Sequence, residues 1–559
     1  MQLKKITIHN FRSIATGTFN VGDYSLLIGA NNSGKSNIMD ALRIFYEKDI
    51  KFEESRDFPK FETDDDESWI EIEYILDNDE YENLKEEYKQ PNNSLKVRKY
   101  FLTNQKDSKG KNKLGIYSYI QNSISEEHFY GAKNVQQGKL GEIIYIPAVS
   151  KLDEHTKLSG PSALRELLND IVKKLVNSSV ALKNLTDQFE TFTAVFKTEE
   201  TDDNKSLSGL ETEINAYIQD WEVEFELDIS PVNEVDIIKN LISYKIINSV
   251  LDERFEAEQF GQGFQRHLIF TLIQMSAKYQ TTANLSDKKE FSPKMTLLLF
   301  EEPEAFLHPT QQSILCLSLK EIATQEGNQV LLSSHSPHFV SHNSDDIPSI
   351  IRLCNHKGKT VIGQIEYEDL NQIFTSNLEI NDIVKGTRFE ADSEDLKEDM
   401  EALKYFLWLD TERCGMFFAR QILMVEGPTE RVLLNHLFHK GLIEMPRGGV
   451  FVLDCFGKFN IHRFMNILGP LNVNHSILLD GDNDKPPHGK ILELIEDSRN
   501  SLTRDIEVFP DDIETFLGIE KCNKTHRKPQ HMMLKFQEGT INSERIDALI
   551  EIVNKLIQL

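Results

Sequence analysis

The sequence lacks any uninterrupted apolar run near the roughly 20 residues that a membrane span requires, so no spanning helix and no membrane partner are expected. Its five cysteines, Cys316, Cys354, Cys414, Cys455 and Cys522, form no Cys-x-x-Cys pair. That argues against a zinc ribbon or a disulfide framework. Internal repeats and low-complexity tracts are also missing. Positive charge is scarce: 62 Lys and Arg stand against 90 Asp and Glu, a net charge of −28. A uniformly acidic surface repels nucleic acid, so DNA or RNA would have to be met by a local basic patch. One stretch qualifies, KCNKTHRKPQHMMLK at 521–535, with five Lys or Arg and no acid. The opening MQLKKITIHNF reads as a short amphipathic strand rather than a signal peptide, which predicts a cytoplasmic protein.

What is present is enough for several cores. A chain of 559 residues exceeds one hydrophobic core, and two to four domains are expected. The first 45 residues read strand, turn, strand, glycine loop, helix. Short alternating strands such as SWIEIEYIL follow to about residue 150. From about 160 to 225 the pattern turns helical, with Leu164, Leu167, Leu168, Ile171, Leu175, Leu182, Leu185 and Phe189 on one stripe. KTEETDDNK (197–205) reads as an acidic tip between two helices. Strands and helices resume to about 370, and the polar segment 379–402 reads as a partly helical connector. Beyond it, QILMVEG, VFVLDCFG, ILLDGD and DIEVFP alternate with helical stretches, the rhythm of a small parallel sheet.

Two constellations carry chemistry. GANNSGKSN (29–37) matches GxxxxGK[ST] between the apolar strand SLLI and a helix, the context the motif requires. Residues Asn31, Asn32, Ser33, Gly34, Lys35, Ser36 and Asn37 are therefore expected to bind ATP. Backbone N–H groups would cradle phosphates, Lys35 would reach the β- and γ-phosphates, and Ser36 would ligate Mg²⁺. MTLLLFEEPEAFLHP (295–309) is a buried-strand run closed by two acids. Glu301 is expected at the Mg²⁺ shell and Glu302 as general base for the attacking water. VLLSSHSPHF (330–339) ends a strand near His335, a candidate γ-phosphate sensor.

Asn10-Phe11-Arg12, the P-loop, the EEPE strand and the SSHS strand together resemble ABC-type ATPases of the RecF and chromosome-maintenance kind. The resemblance implies a head-to-head dimer in which a signature loop closes on the partner's ATP. FGQGFQRHL (260–268), with Gly261, Gln262 and Gly263, is the candidate signature, although it departs from LSGGQ. The two nucleotide motifs lie far apart, so a helical segment, read as dimerising, is inserted between them.

The second constellation is ILLDGDNDK (477–485). Carboxylates two apart on an extended chain point the same way, so they need a cation or water. An EF-hand loop fails, since Gly and Glu would stand where Lys485 and Ile491 are. A DxDxT phosphatase motif fails at Asp484. Upstream, ILMVEGPTE (422–430) ends another strand at Glu426, with Glu430 one helical turn on. Strands of one parallel sheet end on one edge, so Glu426, Asp480 and Asp482 would converge there and suit Mg²⁺ or Mn²⁺. Asp484 is expected to be an outer or solvent-facing acid.

A strand ending Glu-Gly and a later one ending Asp-x-Asp resemble a Toprim domain. With the upstream ATPase, the whole chain is similar to the OLD (overcoming lysogenization defect) family of ATPase–Toprim nucleases, many of them antiphage effectors. That resemblance implies one ion with Glu426 and Glu430 and another with Asp480 and Asp482, besides the ion that accompanies ATP. It adds Glu514 as a further ligand, with Asp512 as the alternative. Lys528 would stand near the scissile phosphate, with Lys524 and Arg527 as alternatives. The implied chemistry is two-metal DNA cleavage, with ATP either licensing or restraining it, as in Gabija-type proteins. A homodimer, or a tetramer, and a helicase or retron reverse transcriptase partner are implied as well. A RecF-like repair ATPase and a primase-like polymerase are the rival readings. The expected fold is α/β: ATPase residues 1–160 and 229–378, helical insertion 161–228, linker 379–415, and Toprim domain 416–559.

Overall fold

The computed structural model describes residues 1–107, 110–120, 123–131, 133, 135, 138–148, short segments and single positions between 168 and 275, and 291. Toward the C-terminus it describes 293–305, 307–340, 344–387, 389–390, 392, 397–482 and 487–558. Met1–Ile146 and Lys289–Leu559 form one compact unit, and Pro147–Lys288 form a second.

Strands β1 (Gln2–Phe11), β2 (Ile14–Asn20), β3 (Tyr24–Ile28), β4 (Ser68–Ile75), β5 (Ser94–Leu102), β6 (Gly115–Ile120), β7 (Ser123–His128) and β8 (Glu142–Ile146) precede the second unit. The opening is thus three strands, not two. In the second unit, Leu207–Ile218 is helical, and β9 (Ile246–Asn248) pairs antiparallel with β10 (Glu253–Phe255). Of the predicted helical stripe, only Leu168 and Phe189 fall on described residues, and residues 201–204 of the acidic tip lie outside them. After this unit come β11 (Thr296–Glu301), β12 (Asn328–Ser333), β13 (Ile350–His356) and β14 (Lys359–Gly363). The last four are β15 (Gln421–Val425), β16 (Phe451–Asp454), β17 (Asn474–Asp480) and β18 (Thr503–Phe509).

An antiparallel sheet has the order β2-β1-β4-β5-β6-β7. Its first strand buries Leu3, then Ile6 and Ile8, a parity change that period-two alternation forbids. The register shift between Leu3 and Lys5 against β4 resolves it. The second sheet runs β14-β13-β3-β12-β11-β8, and β13, β3, β12, β11 and β8 are parallel. Its central strands are continuously apolar (Leu26–Ile28, Leu297–Phe300, Val330–Leu332), as strands covered on both faces must be. The third sheet, β16-β15-β17-β18, is wholly parallel, the small sheet that the βα rhythm predicts.

The β13–β14 hairpin touches both the P-loop and the third sheet's domain. On one side Thr360 Oγ1 donates to Ser33 O at 2.9 Å and Asn355 Nδ2 to Asn32 O at 3.4 Å. On the other, buried Arg352 donates to four backbone carbonyls, of Phe417, Ala419, Leu471 and Asn472, at 2.6–3.1 Å. A buried guanidinium is tolerated because its fork of N–H groups is spent on oxygens that would otherwise lack partners. The helix Glu398–Trp408, in the predicted connector, buries Glu401 and Tyr405, and Glu401 accepts from Arg463 at 2.7 and 2.8 Å. Among the described residues, no helix is long and apolar enough to cross a membrane.

Candidate active sites

The nucleotide motifs meet because β3, β12 and β11 are parallel and in register, Ser333 facing both Glu301 and Leu27. Gly29, Asn32 and Gly34 take positive φ (146°, 63° and 111°). A Cβ on Gly29 would stand 2.2 Å from Leu353 O, and one on Gly34 2.4 Å from Thr360 Oγ1. Only glycine allows the backbone so close to the hairpin, leaving the loop wrapped around the start of the helix Lys35–Phe45. Lys35 Nζ donates to Gly29 O at 2.9 Å and Ala30 O at 3.2 Å, folded back on its own loop. Burial lowers its pKa to about 8 against the pull of Glu302, Glu304 and Glu301. Asn31, Asn32 and Ser36 are exposed. Asn37 serves the framework: its amide donates to Ser13 Oγ at 2.7 Å and its oxygen accepts from Arg12.

Glu301 is buried at the end of β11, and Glu302 follows at φ 43° with Oε1 3.7 Å from His335 Nε2. Burial and the Lys35 charge hold the His335 pKa below its ordinary value. Glu304 completes the group, a residue the sequence reading passed over. Its Oε1 accepts from His335 N at 2.6 Å, its Oε2 is buried without a hydrogen-bond partner, and burial raises its pKa. The third acid of EEPE was the available signal. Of the candidate signature, Gly261 is described and accepts from Phe264 N and Gln265 N, whereas Gln262 and Gly263 lie outside the described residues.

The second site is the C-terminal edge of the small sheet. β15 and β17 are paired, so Glu426 and Asp480 leave neighbouring strand ends, and Glu426 Oε1 accepts from Asp480 N at 2.8 Å. Asp482 follows at φ 49°. Glu430, in the first turn of the helix Pro428–His439, accepts from Gly427 N at 3.1 Å. In the first turn of the helix Ile513–Leu517 that follows β18, Glu514 lies near the same edge, 2% exposed. One Glu514 oxygen lies 3.4 Å from Lys528 Nζ, and the other is buried with no hydrogen-bond partner. Asp512, the alternative, is committed elsewhere: it caps the helix Ile513–Leu517 and pairs with Lys521 at 2.6 Å. Lys524 and Arg527 are exposed, whereas the Lys528 charge is felt at Glu430. Asp484 lies outside the described residues.

Crowding of like charges marks this edge. Burial, then the charges of Glu426, Glu430 and Asp512, push Asp480 up to about 9. Burial, then Glu426, push Glu430 to about 7, and burial also raises Glu426. Buried carboxylates with too little positive charge near them, one with an orphaned oxygen, fit a divalent cation. Among the described residues, however, no three His, Cys, Asp or Glu side chains close into a metal cage. The carboxylate oxygens are instead engaged by backbone amides and by Lys458, which lies 3.4 Å from Glu426 and 3.1 Å from Asp482. Lys458 is a second residue that the sequence reading passed over. The predicted basic cluster is partly neutralised, since Lys521 pairs with Asp511 and Asp512, and Lys535 with Glu538.

Residues 1–340 match the AAA ATPase domain family, so the chain belongs to that class. Residues 417–482 match the overcoming lysogenization defect protein-like TOPRIM domain. The chain thus joins an AAA ATPase domain to an OLD-like TOPRIM domain. It is similar to Old nuclease of Escherichia phage P2, at 22% identity over 86% of this chain and 77% of the relative. Endonuclease GajA of Bacillus cereus (strain VD045) is 24% identical over 98% of this chain and 87% of the relative. A solved Smc head bound to the C-winged helix domain of ScpA is 13% identical, with a TM-score of 0.37 over 66% of this chain and 99% of its own. The fold assignment rests on strand order and the family match, not on that last likeness.

Proposed function

We propose that this chain is a divalent-metal-dependent DNA endonuclease governed by ATP, acting as a cytoplasmic antiphage-defence effector and working as a homodimer. The observation that carries the cleavage reading is the buried edge holding Glu426, Glu430, Asp480, Asp482 and Glu514 beside Lys528. Glu426 with Glu430 would hold one Mg²⁺ or Mn²⁺ ion and Asp480 with Asp482 the other, Glu514 adding a further oxygen. Bound there, such ions would supply an activated water and positive charge opposite the phosphate oxygens. Lys528, drawn inward by Glu514, faces the open side and would neutralise charge gathering on the phosphate. Asp480 is fixed from two sides, by the Ile513 N–H that it accepts at 3.0 Å and by its own N–H on Glu426, so its carboxylate is held before any ion arrives.

At the P-loop, Lys35 would exchange its two loop carbonyls for phosphate oxygens. Ser36 and Glu301 would hold the accompanying Mg²⁺, and Glu302, near His335, would take the proton of the attacking water. The sheet β15–β18 is packed through Arg352 onto the hairpin that braces the P-loop, which supports control of cleavage by nucleotide.

A plasmid-nicking assay with Mg²⁺ or Mn²⁺ tests the reading. The unaltered chain should nick DNA, Glu426→Ala should not, and Lys35→Ala should cleave without responding to ATP. Undiminished cleavage by Glu426→Ala would remove the nuclease assignment to this edge.

A further inference from the structure

Glu302 opens the turn after β11, and His335 lies in the turn after β12. For the two to work on one γ-phosphate, their side chains must keep a fixed separation, 3.7 Å between Glu302 Oε1 and His335 Nε2. The strands alone do not set that distance. The ladder of β11 with β12 runs to Glu301 and Ser333, and Glu302 N donates to Ser333 O at 2.8 Å. There Glu302 takes φ 43°, unusual for a residue with a side chain, and Pro303 follows. Glu304 reaches back across the gap between the turns. Its Oε1 accepts from His335 N at 2.6 Å, a short bond of the kind a carboxylate makes with a backbone amide. Gln312, on the helix Pro309–Ala323, ties the same turns further out. Its amide nitrogen donates to Leu307 O at 2.8 Å, and its oxygen accepts from Ser336 Oγ at 2.6 Å. Of these contacts, the Glu304 bond is the one made to His335 itself.

We propose that Glu304 is a positioning residue of the ATPase: its carboxylate fixes the main chain of His335 and so sets the imidazole against Glu302. This rests on the reading of Glu302 as general base and His335 as γ-phosphate sensor. The physical ground is that groups acting on one reacting centre must be placed closely, and a misplacement of about 1 Å can cost on the order of 100-fold in rate. A bond to the His335 main chain controls where the whole ring starts from, leaving only its side-chain torsions free. A carboxylate suits the task because it only accepts, so no donor of its own competes for the amide. Glutamine keeps an oxygen for that N–H, alanine does not, and aspartate is one methylene shorter.

The test has two readouts on the full chain. In the first, without nucleotide, amide hydrogen exchange of the peptide carrying His335 is followed by mass spectrometry. Exchange should quicken in Glu304→Ala and stay slow in Glu304→Gln. In the second, steady-state ATP hydrolysis with Mg²⁺, Glu304→Ala should lower kcat by about tenfold or more and leave KM for ATP within about twofold. Glu304→Gln should keep kcat within about threefold of the unaltered chain. Added to His335→Ala, Glu304→Ala should cost nothing further, since the two act as one unit. Unchanged exchange or kcat in Glu304→Ala, an equal loss in Glu304→Gln, or additive losses in the double variant would overturn the role of Glu304. Should Glu304→Ala fail to fold, Glu304→Asp is read in its place. Glu302→Gln checks the underlying reading separately: if it hydrolyses ATP as fast as the unaltered chain, Glu302 is not the base, whatever Glu304 does.

Discussion

The two sites of this chain are built alike and charged oppositely. Each lies at the C-terminal edge of a parallel sheet, where strand ends bring distant residues together. At the P-loop, Lys35 bonds to two carbonyls of its own loop, and burial lowers its pKa to about 8. At the small sheet, carboxylates outnumber the lysines, and the pKa of Asp480 rises to about 9. At the first site the buried group is an ammonium, whose pKa desolvation lowers against the pull of Glu301, Glu302 and Glu304. At the second the buried groups are carboxylates, whose pKa desolvation and mutual repulsion raise. A phosphate chain would give the buried ammonium anionic oxygens, and a divalent cation would offset the repulsion among the buried carboxylates.

Substitutions can break this contrast one site at a time. Asp480→Asn should lower cleavage by on the order of 100-fold or more, since it weakens the central oxygen ligand. ATP affinity, read by binding of labelled nucleotide, should stay unchanged. Lys35→Ala should weaken ATP by about tenfold or more through loss of a charge-assisted contact, while Mn²⁺ uptake at the small sheet is unaffected.

Titration sharpens the contrast further, because the two sites should respond to pH with opposite signs. Lys35 loses its charge as pH rises through about 8, so ATP affinity should fall there. Glu430 gains its charge as pH rises through about 7, and Asp480 through about 9, so Mn²⁺ affinity should climb across that range. Parallel slopes in the two titrations would break the comparison. The smallest effect is expected for Thr360→Val, which removes the hydrogen bonds to Ser33 O and Ser13 Oγ. It should cost about 1 kcal/mol in urea denaturation and leave metal uptake alone.

The strand-borne part of each site was legible in the sequence. A strand announces itself by its apolar run, and a carboxylate or glycine loop at its end stands out, as with Glu426, Asp480 and the P-loop. Parallel pairing then does the assembling. Residues delivered by turns were hidden, because their placement depends on backbone angles and on partners far along the chain. Lys458 is buried only because Phe456 and Gly457 turn left-handed, and nothing in FGKFN signals burial. Glu304 reads as one more acid in EEPE until the His335 amide is found on it. What separates Asp512 from Glu514 in the fold is a helix cap and the pairing with Lys521, neither visible in the spacing of VFPDDIETFL. The basic cluster misled in the opposite direction, since its acidic partners come from outside the run.

Arg352 bears on whether the two halves are separable. In sequence the nucleotide-binding part ends well before Phe417, and a cut between them looks harmless. In the fold, each side would be left with a wound. The N-terminal piece would turn the Arg352 guanidinium out to water, and the C-terminal piece would expose the four carbonyls that it receives. The nucleotide-binding part and the small-sheet part lie in one compact unit, so each is expected to be less stable apart than together.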